Sequence, residues 1–221
     1  MTQPPERYFG YTIYTSADTT DVVVARPAIS ETIYSEYLSI TAVVTEVQPL
    51  ILALRMCEED FGALIALPVR QQDHLNALGP ARVSAQVLHE MLAETARITN
   101  AFLASASAFL GQAPTTLPRL FRGDTSTLAE WNALRQSLHL ESIGYRVLYE
   151  MRNYSQHYAL PVTGLQVVGA RAQSGAQMTF ASVPSLSRER LLQSGYDWKK
   201  RKADLLAQPA EIPILPMAAE Y

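Results

Sequence analysis

The sequence predicts a mainly α-helical protein: a four-helix bundle over residues 30–160, preceded by an extended segment (1–29) and followed by a small β-hairpin appendage with a C-terminal helical tail (161–221). Three observations predict it. Apolar residues recur at steps of three and four through much of the first 160 positions. Proline, glycine and capping residues divide that pattern into helix-sized pieces. Only after Pro161 do two short strand-like runs, flanking Ser174-Gly175, replace it.

Composition sets the bounds. The 221 residues are 48% hydrophobic and 18% charged, enough apolar material for a core, which excludes wholesale disorder. The one cysteine, Cys57, excludes a disulfide framework and a cysteine-based zinc module, and reads as a small hydrophobe. The start, Met1 to Arg7, lacks the basic-then-apolar pattern of a signal peptide, and no stretch reads as approaching twenty apolar residues. The expected setting is therefore cytoplasmic and reducing, with no membrane partner. Charge is uneven: residues 1–100 carry twelve acids and six arginines, residues 101–221 nine acids and twelve bases. All three lysines fall in Lys199-Lys200-Arg201-Lys202, a solvated helix face that also offers phosphate affinity to a polyanionic partner.

Taken in order, Tyr8–Tyr14 and Val22–Val24 read as strands joined by a turn at Ser16–Thr20, with Pro27 closing the region. From Ser30 to Leu67, Tyr37, Ile40, Val44, Val47, Ile51 and Leu54 form one apolar seam, resumed by Phe61 and Ile65. Pro49 is expected to kink or break this helix near Gln48, and Pro68 to stop it. Gly79-Pro80 marks a boundary before a second helix, Ala81 to Leu110, anchored by Val87, Met91, Ile98, Phe102 and Phe109 and ended by Gly111. Thr127 and Glu130 form a capping box for a third helix carrying Leu128, Trp131, Leu134 and Leu138. A fourth runs from Leu140 to Tyr158, with Pro161 forcing its end. Leu165–Arg171 and Gln177–Val183 form the hairpin. Short helices follow near Ser187–Gln193 and Asp197–Leu206, where Trp198 is expected to pin the tail to the body.

The chemistry-bearing residues lie on the fourth helix. At 100° per residue, Ile143, Val147, Met151, Tyr154 and Tyr158 share an arc of about 80°, the expected core seam. Tyr145, Tyr149, Arg152, Asn153, Gln156 and His157 fall away from it. Arg152 and His157, five apart, are separated by about 140° and cannot easily meet over one small group on a straight helix. They converge if the helix loosens before Pro161, or if two copies pack so that each supplies both. The second option also supplies the two proton-transfer groups that cleavage of RNA through its own 2′-hydroxyl requires. Histidine suits acid–base work because its ordinary pKa lies near 6.5. Arginine's donor fork suits the charge growing on a phosphorane. Asn153 is placed to hold the imidazole or the phosphate. Tyr145 and Tyr149 stack on bases or pack a dimer. No metal or other cofactor is needed.

The run Arg152-Asn153-Tyr154-Ser155-Gln156-His157 resembles the Arg-polar-x-x-x-His signature of the HEPN superfamily, in the variant with asparagine second. An Arg-x4-His match arises by chance about 0.27 times in such a chain, and about 0.005 times once asparagine is required. The likeness is strong over one helix and only architectural over the preceding three. It implies a metal-independent endoribonuclease of the toxin–antitoxin or phage-defence type, with catalytic Arg152, Asn153 and His157 assembled in a homodimer through the fourth helix. Gln156, Tyr149, Lys199, Lys200, Arg201 and Lys202 would contact RNA. A cognate antitoxin or nucleotidyltransferase would be a partner; some members of the superfamily are silenced by modification of a tyrosine near the motif, although Tyr158 is placed here on the core seam. The alternative is a non-catalytic HEPN-like module binding protein or nucleic acid. His89 and His139 read as surface or capping residues, His74 as part of a loop or short turn, and Glu58-Glu59-Asp60 as a solvated face.

Overall fold

A computed structural model describes residues 10–16, 19–24, 29–122, 124–160, 164–171 and 178–221. The protein is mainly helical, with a small antiparallel sheet of three strands, and divides into two compact units, residues 1–49 and 50–221.

In the first unit, β1 (Gly10–Ser16) pairs antiparallel with β2 (Thr19–Val24), Gly10 opposite Val24, close to the expected strands. Parts of the expected turn, and Pro27, lie outside the described residues. Helix α1 (Glu31–Leu78) begins in the first unit, continues in the second, and runs without interruption past both Pro49 and Pro68, overturning the expected break and stop. Proline costs a helix about 3 kcal/mol, through one lost hydrogen bond and a ring clash. Around Pro68 that cost is offset by Leu64, Leu67, Gln71 and Leu75, all buried on either side of it.

The seam expected on α1 is not the face that the fold buries. Ile40, Val44, Ile51 and Ile65 are 64%, 53%, 44% and 44% exposed, while Leu50, Ala53, Leu64, Leu67 and Leu75 are buried. An 18-residue stretch of α1 has a mean hydropathy of 1.6 and is 6% buried, so by length and composition this helix is apolar enough to cross a membrane. That corrects the reading of no such stretch. Interspersed Ser, Thr and Glu residues conceal it from a count of unbroken apolar runs.

In the second unit, Ser84 caps α2 (Ala85–Leu120), accepting from the Val87 amide. This helix continues through Gly111, the expected stop, and through Pro114 and Pro118. A helical glycine costs only about 1 kcal/mol, and the next turn buries Ala113. Helix α3 (Thr125–Glu141) starts from Asp124, not from the Thr127 capping box. The Asp124 carboxylate accepts from the hydroxyls and amides of both Ser126 and Thr127, which hold its pKa down at about 2.

Helix α4 (Ile143–His157) is the centre of the second unit. Val147, Leu148 and Met151 are at most 1% exposed and pack with Leu64, Leu67, Ile98, Phe102 and Leu103 of α1 and α2. The hairpin is present as β3 (Gly164–Arg171) and β4 (Met178–Ser187), although Ser174-Gly175 lies outside the described residues. Phe180 of β4 joins Leu75 and Met91 in a second small core, and its amide donates to Asn76 of α1. The tail holds α5 (Arg188–Gln193) and α6 (Arg201–Leu206) near their expected places. It adds two elements that the sequence reading lacked: β5 (Glu211–Pro213), paired with the end of β4, and α7 (Ile214–Glu220).

Two contacts orient α4. At its start, Ser142 caps the Tyr145 amide, while Glu220 of α7 accepts from the Gly144 amide at 3.0 Å and the Ser142 hydroxyl at 2.9 Å, a carboxylate at a helix N-terminus. A Cβ on Gly144 would stand 2.7 Å from the Glu220 carboxylate and 3.0 Å from the Met217 carbonyl, so only glycine lets α7 approach this closely. One turn on, Arg146 forks onto Asp204 of α6 at 2.8 and 3.1 Å and donates to the His139 and Leu140 carbonyls at the end of α3. The guanidinium's hydrogen bonds hold the Asp204 carboxyl below its usual pKa against the opposing effect of burial.

Gly144→Ala is expected to cost about 1–3 kcal/mol of stability by overpacking, measured by denaturant unfolding. Asp204→Asn is expected to cost about 2 kcal/mol at neutral pH. Because the folded pKa of Asp204 is depressed, its contribution is complete above the ordinary value of about 3.9 and lost as pH falls through the folded value. The stability gap between Asp204→Asn and the natural protein should therefore close on acidification below about pH 4.

Candidate functional site

The C-terminal half of α4 carries the motif. The helix is continuous to His157, and the Tyr158 amide closes it on the Tyr154 carbonyl at 2.9 Å. It does not loosen between Arg152 and His157, so the two stay about 140° apart around one axis. Arg152 and Asn153 are half-buried, and Gln156 and His157 are exposed.

The Arg152 Nη1 donates to Asn153 Oδ1 at 3.2 Å, and its Nε is shielded from solvent with no partner among the described residues. The Ser155 hydroxyl donates to the Arg152 carbonyl at 2.9 Å. Burial pushes the Tyr221 phenol well above its usual pKa, and the nearby Arg152 charge opposes that rise. Arg152 therefore faces the end of the tail on one side and Asn153 on the other.

The structure corrects two placements around the motif. Tyr145, placed on the polar arc by helix arithmetic, is 3% exposed and packs against Tyr149 and Tyr221. Tyr158, placed on the core seam, is 55% exposed. The ideal wheel assumes a single buried stripe. Packing of α7 near the start of α4 pulls Tyr145 inward, and the helix ends before Tyr158 can complete the seam. Tyr149 stays on the outer side at 42% exposed.

Trp198 behaves as expected. It is buried, donates its indole N–H to the Leu191 carbonyl at 2.8 Å and stacks on Tyr154 with ring centres 5.3 Å apart. Tyr196 completes this aromatic group, and its hydroxyl donates to Glu150 of α4. The basic run thus begins immediately after an anchor fastened to the motif helix. Within it Lys199, Lys200 and Lys202 are exposed, but Arg201 is mostly buried and ion-paired with Asp204 at 2.8 Å. The four cations expected to contact phosphate are therefore not equivalent: Arg201 is engaged within the protein and the three lysines are exposed.

A cleft of about 370 Å³ lies beside α4, lined by Asn132, Arg135, Gln136, His139, Tyr145 and Tyr149. Of these, sequence reasoning named only the two tyrosines as contact residues and read His139 as a surface or capping residue. Asn132, Arg135, Gln136 and His139 recur at three- and four-residue spacing on α3, a signal that could have marked them as one helix face. Desolvation, and then the charges of Arg201 and Arg146, hold the His139 imidazole below its ordinary pKa. His89 and His139 are exposed, as expected, whereas His74, also exposed, lies within α1 and not in the expected loop or short turn, because the helix runs on past Pro68. Among the described residues no group of three or more His, Cys, Asp or Glu side chains is arranged to hold a metal ion. Cys57 is half-buried, with its thiol pKa raised by burial and by Asp60 and Glu58.

No family model, curated protein or solved structure matches this chain.

Trp198→Ala is expected to cost about 3–5 kcal/mol, through a cavity beside Tyr154 and loss of the tail anchor. Paired neutralisation of Lys199 and Lys200 should change stability by less than about 0.5 kcal/mol. Thermal unfolding of the two variants checks both.

Proposed function

We propose that the chain is a metal-independent endoribonuclease of a HEPN-type toxin or defence system, with α1–α4 as a HEPN-like four-helix bundle and its active centre formed where two copies meet through α4. The observation that carries this reading is the arrangement of one helix. Its inner face is fully buried by Val147, Leu148 and Met151, while Arg152 and Asn153 are only half-buried and Gln156 and His157 are exposed. Residues needed only for packing would have been drawn inward. The helix also remains regular through His157, which supports the two-copy option over a loosened single helix.

In this reading one His157 takes the proton from a ribose 2′-hydroxyl as its oxygen attacks the adjacent phosphorus. The second His157 protonates the departing 5′-oxygen, leaving a 2′,3′-cyclic phosphate and a 5′-hydroxyl. Arg152 meets the negative charge on the phosphorane, and its hydrogen bond to Asn153 presets the guanidinium. Tyr149 and Gln156 lie on the same open side of α4 and contact the RNA, while Lys199, Lys200 and Lys202 add salt-sensitive backbone affinity. A cognate antitoxin or nucleotidyltransferase would cover or modify this exposed end.

One observation favours a second reading. Arg152 is already half-buried and engaged with Asn153, as suits an interface hydrogen-bonder in a HEPN-like binding module without turnover. Incubation of the pure protein with total RNA and tRNA in EDTA separates the two. The nuclease reading expects cleavage with cyclic phosphate ends, reduced about 10²–10⁴-fold by His157→Ala in a folded variant. Cleavage that survives His157→Ala overturns it, and RNA binding without cleavage leaves the module.

A further inference from the structure

In the second unit, residues of α1, α2 and α3 and the end of the chain form a cavity of about 370 Å³, and none of Arg152, Asn153 and His157 lines it. Phe102, Ala106, Tyr145 and Ala218 make its floor, each at most 5% exposed. Leu54, Leu134 and Leu138 stand at its mouth, 40%, 56% and 36% exposed. Phe109 meets Trp131 edge to face with ring centres 6.1 Å apart, and Phe102 meets Tyr221 at 5.8 Å, so much of the wall is aromatic. Cys57 adds a neutral thiol, since burial, then Asp60 and Glu58, raise its pKa. Ligand pockets run from about 300 to 1,000 Å³ and combine such an apolar wall with a few convergent polar groups.

The polar groups here are few and lack partners. Trp131 Nε1, Arg135 Nε and the Tyr221 hydroxyl belong to side chains that line the cavity; all three are shielded from water and make no hydrogen bond to a described residue. Such a group has lost its hydration without compensation until an acceptor reaches it. Arg135 also has no ion pair among the described residues. It lines the cleft beside α4 as well, with Asn132, Gln136 and His139, and Tyr145 is common to both. One guanidinium therefore stands where an apolar pocket adjoins a cleft lined by amides and an imidazole. Desolvation lowers the His139 pKa, and the charges of Arg201 and Arg146 lower it further against Asp204, so the cleft lies in a positive field. The acid among the lining residues is Glu58, exposed on α1.

Charge and polarity together select the occupant. An unpaired guanidinium beside unpaired donors calls for a negatively charged acceptor, and its fork matches two coplanar oxygens. The aromatic and aliphatic wall calls for a hydrocarbon body, whose burial drives entry. A neutral hydrocarbon answers only the second need, and a nucleic-acid backbone only the first. With one guanidinium and Glu58 in the same wall, a monoanion is repelled less than a doubly charged phosphate ester. We propose that this cavity binds a small amphipathic carboxylic acid, its hydrocarbon body among Phe61, Phe102, Phe109 and Trp131 and its carboxylate held by Arg135 at the junction with the cleft. The site goes beyond the nuclease reading and stands without it.

The test is isothermal titration of the full chain with octanoate, compared with octanol (the same chain without charge), acetate (the head alone) and octyl phosphate. Three variants accompany the natural protein: Arg135→Gln, Leu134→Glu at the mouth, and Leu140→Glu, an exposed residue of α3 that lines neither cavity. Circular dichroism confirms that they are folded. The proposal expects one octanoate per chain and no binding of acetate. Affinity for octanoate should fall about 10–100-fold in Arg135→Gln, vanish in Leu134→Glu and stay unchanged in Leu140→Glu. No binding of octanoate by the natural protein overturns it, as does equal affinity for octanol or an affinity indifferent to Arg135→Gln. Several octanoates per chain, or equal binding by Leu134→Glu, is surface adsorption and also overturns it. Tighter binding of octyl phosphate overturns the choice of a carboxylate head. Should a variant unfold, the difference between octanoate and octanol in the natural protein still decides. RNA cleavage is read separately, so loss of the nuclease reading leaves this result unaffected.

Discussion

Burial of one stripe of α4 is the constraint on which the second unit depends. Val147, Leu148 and Met151 are enclosed by residues of α1, α2 and the tail. Each fully buried side chain of this size contributes about 1.5–3 kcal/mol, so the stripe determines the rotation of the helix about its axis. Once that rotation is set, Gln156 and His157 are left exposed, and Arg152 and Asn153 lie half-buried at the edge of the stripe. The candidate chemistry is thus a consequence of packing: the same side chains at the same spacing would face inward if the stripe were moved by two positions.

Polar contacts then select position along the axis. Hydrophobic burial is non-directional and would tolerate sliding of α4 against its neighbours. The Glu220 carboxylate at the α4 N-terminus and the Arg146 fork on Asp204 do not tolerate it, since both need donor and acceptor within about 3 Å. Arg146 also gathers the last carbonyls of α3, so one guanidinium joins three helices. It draws in Asp204, which in turn engages Arg201 and removes that residue from the exposed basic run.

The two units treat apolar surface differently. In the second, apolar residues of α2 and α4 turn inward and the tail covers them. In the first, the described part of α1 leaves Ile33, Tyr37, Leu38, Ile40, Val43 and Val44 exposed.

Local chemistry made much of this legible in advance. The two hairpins, the span of α4 and the Trp198 anchor follow from periodicity and turn residues near in sequence. The motif on α4 was equally legible, because five residues of spacing on one helix need no tertiary knowledge. Tertiary structure alone decided three matters. Pro49, Pro68 and Gly111 carry local penalties of a few kcal/mol at most, and packing on neighbouring turns outweighs them, so α1 and α2 run on. The seam of α1 was visible as a stripe, yet which stripe the body buries depends on partners distant in the chain. Tyr145 and Tyr158 exchanged their expected environments because α7, whose short Ile214–Glu220 segment gives little periodic signal, packs against the start of α4 and leaves its end open.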